Sequence, residues 1–380
     1  MMTASAVMAI DINAQYTQKL QVGKHSIDLQ LPKGLKIEFL AAIDKPRLFV
    51  FAADNSLIIG SKSARIYRLF PPYRYAETLA TIPSAQAVHS VAFRGDELFV
   101  ADTCAIWKAN YDSQRKPLFK KIVALPCQTG GHYTRTLITG PDQSLYVSIG
   151  ISGNCSDEYL HNSYPFERRR GGIFLVTETP TSYALQPFSA GLRNPIGLAF
   201  SASGDLYATN AGPDNLGYEL PPEVLVRTYQ DAYHGMPWLQ YFNGAFQDGR
   251  CASSPAPRPA AQAEKPVAWF AARSTPIGID FLDSESLSKT LDGDALIAIH
   301  GSWAKPDGGG PASRRPPKIL HLDFNDKQVR KVSDLVSGFQ RPDGSRFARP
   351  AGILQGPDGD IYFSSDGGEV EGLFVIRRTD

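Results

Sequence analysis

The sequence contains the segment Gly204-Asp205-Leu206-Tyr207-Ala208, in which a Gly-Asp turn leads directly into apolar and aromatic residues. Five further segments repeat this pattern: Asn55-Ser56-Leu57-Ile58-Ile59, Gly95-Asp96-Glu97-Leu98-Phe99-Val100, Asp142-Gln143-Ser144-Leu145-Tyr146-Val147, Gly293-Asp294-Ala295-Leu296-Ile297-Ala298 and Asp358-Gly359-Asp360-Ile361-Tyr362-Phe363. Such turns before β-branched and aromatic residues are typical of β-hairpins. Their regular return indicates a repeat architecture. The six copies therefore predict an all-β fold, a six-bladed β-propeller.

The spacing of the copies predicts long loops. The interval grows from about 41 residues between the first two copies to about 90 between the fourth and the fifth, whereas a minimal blade takes roughly 40–50 residues. The excess predicts loop insertions on one face: a main one over residues 221–276, with an Ala- and Pro-rich part at 252–266, and a second over 305–317. Long loops on a rigid scaffold are where a binding site is expected.

Few other elements are predicted. No stretch of ten or more residues has helical periodicity, although Pro221-Pro222-Glu223 favours the start of a short helix. Residues 47–51 and 372–376 are expected to be strands, the latter closing the ring with an N-terminal strand. We therefore expect a single domain over residues 16–380, preceded by a flexible N-terminus or signal-peptide remnant over residues 1–15.

Composition excludes two classes of protein. The chain has 39 Lys and Arg residues against 38 Asp and Glu, a net charge of +1, so no strong field attracts nucleic acid or an anionic membrane. No apolar run approaches the roughly 20 residues that span a bilayer. Small neutral or cofactor-like ligands remain open.

The cysteines point to disulfides. Cys104, Cys127, Cys155 and Cys251 form no Cys-x-x-Cys pair, which disfavours a zinc site or a thioredoxin-like motif. Two disulfides or structural thiols are expected, and three pairings are open. Two bridges fit an exported protein.

Two segments beside the repeats carry residues suited to proton transfer and charge binding. His132 stands shortly before a repeated strand, and histidine suits proton abstraction near neutral pH. Arg193 and Asn194 lie on a turn where an arginine fork can pair with a carboxylate or an oxyanion. Taken singly, such residues are more often structural. Together, from separate repeats, they predict one polar, cationic site, which also receives Trp303, Lys318 and Arg349.

A turn after the fourth repeat offers oxygen ligands. It reads Asn210-Ala211-Gly212-Pro213-Asp214-Asn215-Leu216-Gly217. Its carbonyl groups and carboxylate suit a hard cation such as calcium. A simple turn accounts for the same residues equally well.

Four motifs follow one another from about residue 30 to the C-terminus. They are the run from His132 to Ile149, the block Gly191-Leu192-Arg193-Asn194-Pro195-Ile196-Gly197-Leu198-Ala199-Phe200, His300-Gly301-Ser302-Trp303, and Arg349-Pro350-Ala351-Gly352 with Gly356-Pro357-Asp358-Gly359. In order and spacing they resemble the soluble quinoprotein glucose/sorbosone dehydrogenases. The resemblance implies a six-bladed propeller that uses pyrroloquinoline quinone (PQQ).

The resemblance also implies roles. His132 would take the hydroxyl proton while hydride passes from the sugar's anomeric carbon to the quinone, and Arg193 would stabilise the charge developing there. Arg349 would bind the carboxylates of PQQ. Gly212 and Pro213 would hold calcium through their carbonyl groups. The implied cofactor-binding set is Arg193, Asn194, Lys318, Arg349, Trp303 and His89.

Three positions distinguish branches of the family. Phe347 stands where the glucose dehydrogenases have a second cofactor-binding arginine, and Gly131 replaces the acidic residue before their catalytic histidine. These changes, together with His89, resemble the sorbosone and aldose-sugar branch.

The sequence thus predicts a calcium- and PQQ-dependent dehydrogenase of an aldose or related sugar aldehyde. Its partners would be a small sugar and an external electron acceptor such as a quinone, cytochrome or dye, without nucleic acid and without a membrane span. A periplasmic or secreted location is expected. Two alternatives stay open: a calcium-dependent sugar lactonase of similar shape, and a non-catalytic propeller that binds a protein or glycan.

Overall fold

The computed structural model describes residues 10–83, 85–127, 131–249 and 251–379. These residues form β-strands and four single-turn 3-10 helices, Phe166–Arg168, Ala260–Gln262, Lys289–Leu291 and Pro311–Ser313. The predicted all-β class is confirmed. Within the described ranges no helix has the length and apolar character to cross a membrane.

An N-terminal hairpin precedes the repeated units. Strand β1 (Gln15–Val22) pairs antiparallel with β2 (His25–Pro32), and β3 (Leu35–Ala42) follows. Of the segment predicted as a flexible end or signal remnant, residues 1–9 lie outside the described residues.

Six four-stranded antiparallel units make up the rest of the described chain. The first holds β4 (Pro46–Phe51), β5 (Leu57–Ser61), β6 (Arg65–Leu69) and β7 (Glu77–Thr81); the second holds β8 (Val88–Arg94), β9 (Glu97–Asp102), β10 (Ala105–Asn110) and β11 (Lys120–Ala124); the third holds β12 (Leu137–Thr139), β13 (Leu145–Ile149), β14 (Gly172–Glu178) and β15 (Tyr183–Ala190). One residue pair between β5 and β8 joins the first two units into one sheet.

The later units contain the insertions. The fourth is formed by β16 (Pro195–Phe200), β17 (Leu206–Asn210), β18 (Glu223–Thr228) and β22 (Ala268–Phe270); between its last two strands lie β19 (Ala232–Tyr233), which extends the third unit, and the hairpin β20 (Leu239–Phe242) with β21 (Ala245–Asp248). The fifth holds β23 (Pro276–Phe281), β24 (Ala295–Ile299), β25 (Lys318–Asn325) and β26 (Gln328–Val336); the sixth holds β27 (Pro350–Gln355), β28 (Ile361–Ser365) and β29 (Gly372–Arg378), completed by β3.

Each repeated sequence segment runs into the second strand of a unit. In five of these six strands every residue is buried, as in β13 and β17. A strand covered on both faces selects a continuous apolar run instead of alternation. This burial explains why the repeats were visible in the sequence.

The predicted closure by the C-terminal strand is confirmed, because β29 pairs antiparallel with β3. The short helix predicted after Pro222 is wrong. Residues from Glu223 onward form β18, whose apolar residues are buried between the neighbouring strands. Burial of this β-branched segment outweighs the helix-starting tendency of the prolines.

The first strands of the units lie side by side in a closed order: β4, β8, β12, β16, β23, β27 and again β4. A Pro-x-Gly motif opens three of them, and its glycine lies so close to the next strand that an added Cβ would come within 3.0 Å of a backbone oxygen. The close pairs are Gly197 with Ile277, Gly278 with Ala351, and Gly352 with Arg47. Equivalent positions therefore meet, and the starts of these strands share one end of the ring.

Candidate functional site

Polar side chains collect where the first strands begin. Each unit contributes at least one polar side chain at or just before its first strand. These are Arg47, His89, Arg135, Arg193 with Asn194, Arg273 and Arg349. Two clefts of about 470 and 440 Å³ open at this end and share Lys62 and Asp366. We call this region the ring end.

His132 is held as a neutral base. Its Nδ1 lies 2.7 Å from the carbonyl oxygen of Ile151, and because a carbonyl only accepts, Nδ1 carries the proton and Nε2 is left unprotonated. Burial lowers the pKa of His132 to about 3, and the charge of Arg193 contributes. An imidazole in this state keeps a free lone pair on Nε2 at neutral pH, which can accept a hydrogen bond from a hydroxyl group.

Asn194 and His132 face each other across Gly150. A Cβ at Gly150 would come 2.5 Å from Asn194 Oδ1 and 2.6 Å from His132 Cβ. The backbone N–H of Asn194 donates to Asn210 Oδ1 at 2.9 Å, whereas its own buried Oδ1 has no hydrogen-bond partner among the described residues. Buried polar atoms are normally paired, so this oxygen points to a missing partner beside His132.

Arg193 is fixed by the segment that follows β13. Its Nε donates to Asn154 O at 2.7 Å, Nη2 donates to Asn154 Oδ1 at 2.8 Å, and Nη1 donates to Ala211 O at 3.2 Å. Burial lowers the pKa of this arginine. Cys155, which follows Asn154, forms a disulfide with Cys251, so the insertion of the fourth unit anchors this segment.

The predicted pair of disulfides is confirmed. The second bridge joins Cys104 to Cys127, shortly before His132. Both bridges therefore tie down loops that reach the ring end.

Asp366 links the two sides of the ring end. Its buried carboxylate lies 2.5 Å from Arg47 Nη1, 3.1 Å from Lys62 Nζ and 2.5 Å from His300 Nε2. Burial raises its pKa, but His300, Arg47 and Lys62 outweigh that effect and hold the pKa well below the usual range. Arg47 Nη2 also donates to Thr134 Oγ1 at 3.1 Å, which connects Asp366 to the His132 segment.

Arg349 forms a cationic face on the other side. Its Nε donates to His300 O at 3.1 Å and Nη2 to Gly301 O at 2.9 Å, while its guanidinium lies 4.1 Å from the ring centre of Trp303. The Trp303 side chain is exposed, at 70%. Burial lowers the pKa of Arg349 to about 9, and the charge of Arg346 adds to the shift.

Three basic residues in this cleft were missed by the sequence analysis: Lys62, Arg314 and Arg346. Arg346 stands one residue before Phe347, where the second family arginine was sought, and its Nη2 donates to Ser302 O at 2.6 Å. Phe347 itself is fully buried in the apolar core. The sequence Arg346-Phe347-Ala348-Arg349 contains this second arginine three residues before Arg349, whereas no motif indicates Lys62 or Arg314.

Two predicted residues lie apart from this set. Lys318 begins β25, and its Nζ donates to Asp334 Oδ1 on β26 at 2.8 Å, so the structure does not bring it to Arg349. His89 is fully buried behind Tyr133, with 5.4 Å between ring centres, and neither ring nitrogen has a described partner. His89 therefore stands at the ring end, but its ring is enclosed by other residues.

The Gly212–Pro213 turn does not fit the predicted calcium ion. The Pro213 carbonyl accepts from Arg273 Nη1 at 2.6 Å, and the Gly212 N–H donates to Glu223 Oε2 at 2.5 Å. The described residues contain no cluster of three or more His, Cys, Asp and Glu side chains that would hold a metal. The Arg273 guanidinium is thus hydrogen-bonded to one of the two carbonyl groups that were predicted to bind the ion, that of Pro213.

Chemically, the ring end combines a neutral imidazole with a cationic cleft. An exposed indole at the cleft offers a flat apolar surface, and the buried arginines favour an anion that restores their solvation. The cleft therefore suits a flat molecule with several carboxylates, and His132, which is not among the residues lining the cleft, offers an unprotonated nitrogen.

Solved structures share the fold over nearly the whole chain. A family AA12 carbohydrate-active enzyme of Trichoderma reesei is 18% identical, covering 99% of this chain and 100% of that one, with a TM-score of 0.74. The PQQ domain of pyranose dehydrogenase from Coprinopsis cinerea, in holo form, is 16% identical over 93% and 97%, with a TM-score of 0.71. PQQ-bound aldose sugar dehydrogenase from Streptomyces coelicolor is 15% identical over 91% and 99%, with a TM-score of 0.63.

Sequence comparisons identify one related protein and one family model. An uncharacterized protein of Borreliella burgdorferi is 26% identical over 90% of this chain and 89% of its own length. The model of the family described as TrAA12-like matches residues 29–228. The resemblance inferred from the sequence is thereby confirmed at the level of family. Because that match covers more than half of the residues, the chain belongs to the TrAA12-like family.

Proposed function

We propose that the six units are the blades of a six-bladed propeller, formed by residues 16–380 as one domain with long loop insertions. The closed order of the first strands and the completion of the last unit by β3 support this architecture. The insertion between β18 and β22 and the loop over residues 305–317 contribute to the surroundings of the ring end.

The protein oxidises an aldose or a related sugar aldehyde, with PQQ as the cofactor. The single observation that carries this proposal is the unprotonated Nε2 of the neutral His132, at the same end of the ring as a cleft lined by the buried Arg346 and Arg349. The names of the solved structures that share the fold, a pyranose dehydrogenase and an aldose sugar dehydrogenase, support the substrate class.

The chain's residues divide the work as follows. Arg349, Arg346, Lys62 and Arg314 would bind the carboxylates of PQQ, and Trp303 would offer an apolar surface beside them. Arg193 and Asn194 complete the side next to His132. When bound, PQQ supplies the acceptor for two electrons and a proton. His132 Nε2 takes the second proton, from the sugar hydroxyl, and Ile151 keeps the ring oriented.

The partners follow from this chemistry. A sugar enters the ring end, and an external quinone, cytochrome or dye removes the electrons. A periplasmic or secreted location agrees with the two disulfides, since such bridges persist in oxidising compartments.

Reconstitution tests the proposal. Purified apo-protein is titrated with PQQ while Trp fluorescence is followed, and dye reduction is then measured with a panel of aldoses. We expect saturable binding and PQQ-dependent reduction. In His132→Gln, binding should persist and turnover should fall by about 10²–10⁴-fold, the usual contribution of a general base.

A matched control is His161→Gln, which alters an exposed histidine outside the ring end. Equal turnover of His132→Gln and the native protein would refute the proposed base. Lactone hydrolysis without PQQ would refute the redox proposal and favour a hydrolase, and absence of PQQ binding would leave only a binding propeller.

A further inference from the structure

Arg273 sits in a cage of oxygen atoms at the turn after β17. Its side chain is buried, and its Nη1 lies 2.6 Å from Pro213 O and 3.0 Å from Asp214 Oδ1. Its Nη2 donates to Leu220 O at 2.5 Å and also to Gly217 O. Three carbonyl oxygens and one carboxylate thus surround a single guanidinium.

These oxygens are the ligand types that calcium prefers. Two carbonyl groups of the turn accept hydrogen bonds from arginines, Ala211 O from Arg193 and Pro213 O from Arg273. A divalent ion at Pro213 would therefore lie beside a fixed positive charge in a poorly solvated place, where repulsion is strong. Asp214 already pairs with Arg273, and burial raises the pKa of Glu223 to about 7, so little negative charge is left to hold a divalent ion.

We infer that Arg273 takes the place of a calcium ion at this turn, so that the protein binds PQQ and turns over without a divalent cation there. Only the part that concerns PQQ rests on the proposed function. The absence of calcium from the cage is a property of the apo-protein and is tested separately.

Calorimetric titration of apo-protein with calcium chloride gives the first test. The native protein should bind no calcium that depends on Asp214. Arg273→Gly should gain one site with Kd on the order of 0.1–1 mM, the range of weak calcium modules. Glycine suits this position because Arg273 has φ 71°, so the variant empties the cage without straining the backbone.

Arg258→Gly is the matched control, since it removes a half-buried arginine from the same insertion and leaves the cage intact. It should bind no calcium. Native protein that binds calcium, with the binding lost in Asp214→Asn, would overturn the inference. Lack of calcium binding in Arg273→Gly, with an unchanged melting curve, would overturn the role given to the arginine.

The second test uses PQQ and needs only native protein. Because coupled ligands change each other's affinity by the same factor, Kd for PQQ in excess EGTA and in calcium should differ by less than about twofold. A tenfold weaker Kd in EGTA would overturn the inference while leaving the proposed function intact. Absence of PQQ binding in both buffers would instead refute the proposed function, and the calcium titration would still decide the cage.

Discussion

His132 owes its reactivity to what surrounds it. Burial and the nearby charges of Arg193 and Arg170 both disfavour the imidazolium, and they outweigh the hydrogen bond to Ile151, which favours it. The result is a histidine that stays neutral well below the pH at which an exposed imidazole is protonated. Nε2 therefore stays unprotonated at neutral pH, with Gly131 and no acidic side chain at the preceding position.

The pH dependence of His132 can be measured directly. Its folded pKa, about 3, lies below the ordinary value of 6.5, so the base form is lost only as pH falls through the lower value. We expect the Cε1–H resonance of His132 in apo-protein to show no titration between about pH 5 and 8. In Arg193→Met the pKa should rise, because a positive charge is removed. A native midpoint near 6.5 would contradict this account.

For single residues, the sequence predicted which side chains form the site better than it predicted what surrounds them. His132, Arg193 and Arg349 were found because each stands beside a motif at the start of a strand. Lys62 and Arg314 were not, since they reach the cleft from loops that only the closed ring brings together. The calcium prediction at Pro213 could not anticipate Arg273, which lies 60 residues further along the chain.

Among the elements, the Pro-x-Gly starts of the inner strands determine how closely neighbouring units approach. At Gly278 an added Cβ would come within 3.0 Å of two backbone atoms of β27, Ala351 O and Ile353 N. Backbone on both sides cannot yield as the end of a flexible side chain does. This contact explains why the same three-residue pattern recurs.

Gly278→Ala should therefore destabilise the fold. We expect a loss of about 1–3 kcal/mol in the free energy of unfolding, the usual effect of overpacking, measured by urea denaturation. Gly310→Ala is the control, because no heavy atom lies within 4 Å of its added Cβ and its φ is negative. Equal stability of the two variants would show that the inner strands can move apart.

The second strands were the easiest elements to predict, since burial on both faces leaves continuous apolar runs. The strands of the insertion were hidden. The two prolines before Glu223–Thr228 predict a helix where the structure has a strand. The hairpin Leu239–Phe242 with Ala245–Asp248 lies in a region without a repeat. Their positions depend on contacts with other units, which local sequence does not encode.

Over the whole molecule, the Cys155–Cys251 bridge joins the third unit to the insertion of the fourth. It closes a loop of 96 residues, whereas the Cys104–Cys127 bridge closes one of 23. A longer closed loop restricts the unfolded chain more. Asn154, which holds Arg193, is adjacent to the longer bridge.

Removing the longer bridge should cost more stability. For Cys155→Ser with Cys251→Ser we expect a loss of about 2–5 kcal/mol, together with weaker PQQ binding as Arg193 loses its anchor. For Cys104→Ser with Cys127→Ser the loss should be about 1 kcal/mol smaller, from the dependence on loop length. Calorimetric melting and the PQQ titration measure both effects. A larger loss in the second variant would contradict the loop-length argument.

The pairing of β29 with β3 has a consequence for the order of folding. Leu35 pairs with Arg378, so β3 can find its partner β29 only after all the strands between them have been synthesised. Contacts between such distant residues slow folding. Until then β3 and β28 both lack the strand that lies between them, and unpaired edges favour association with other chains. During synthesis there is therefore an interval, which ends when β29 has left the ribosome, in which protection of these edges by a chaperone is most valuable.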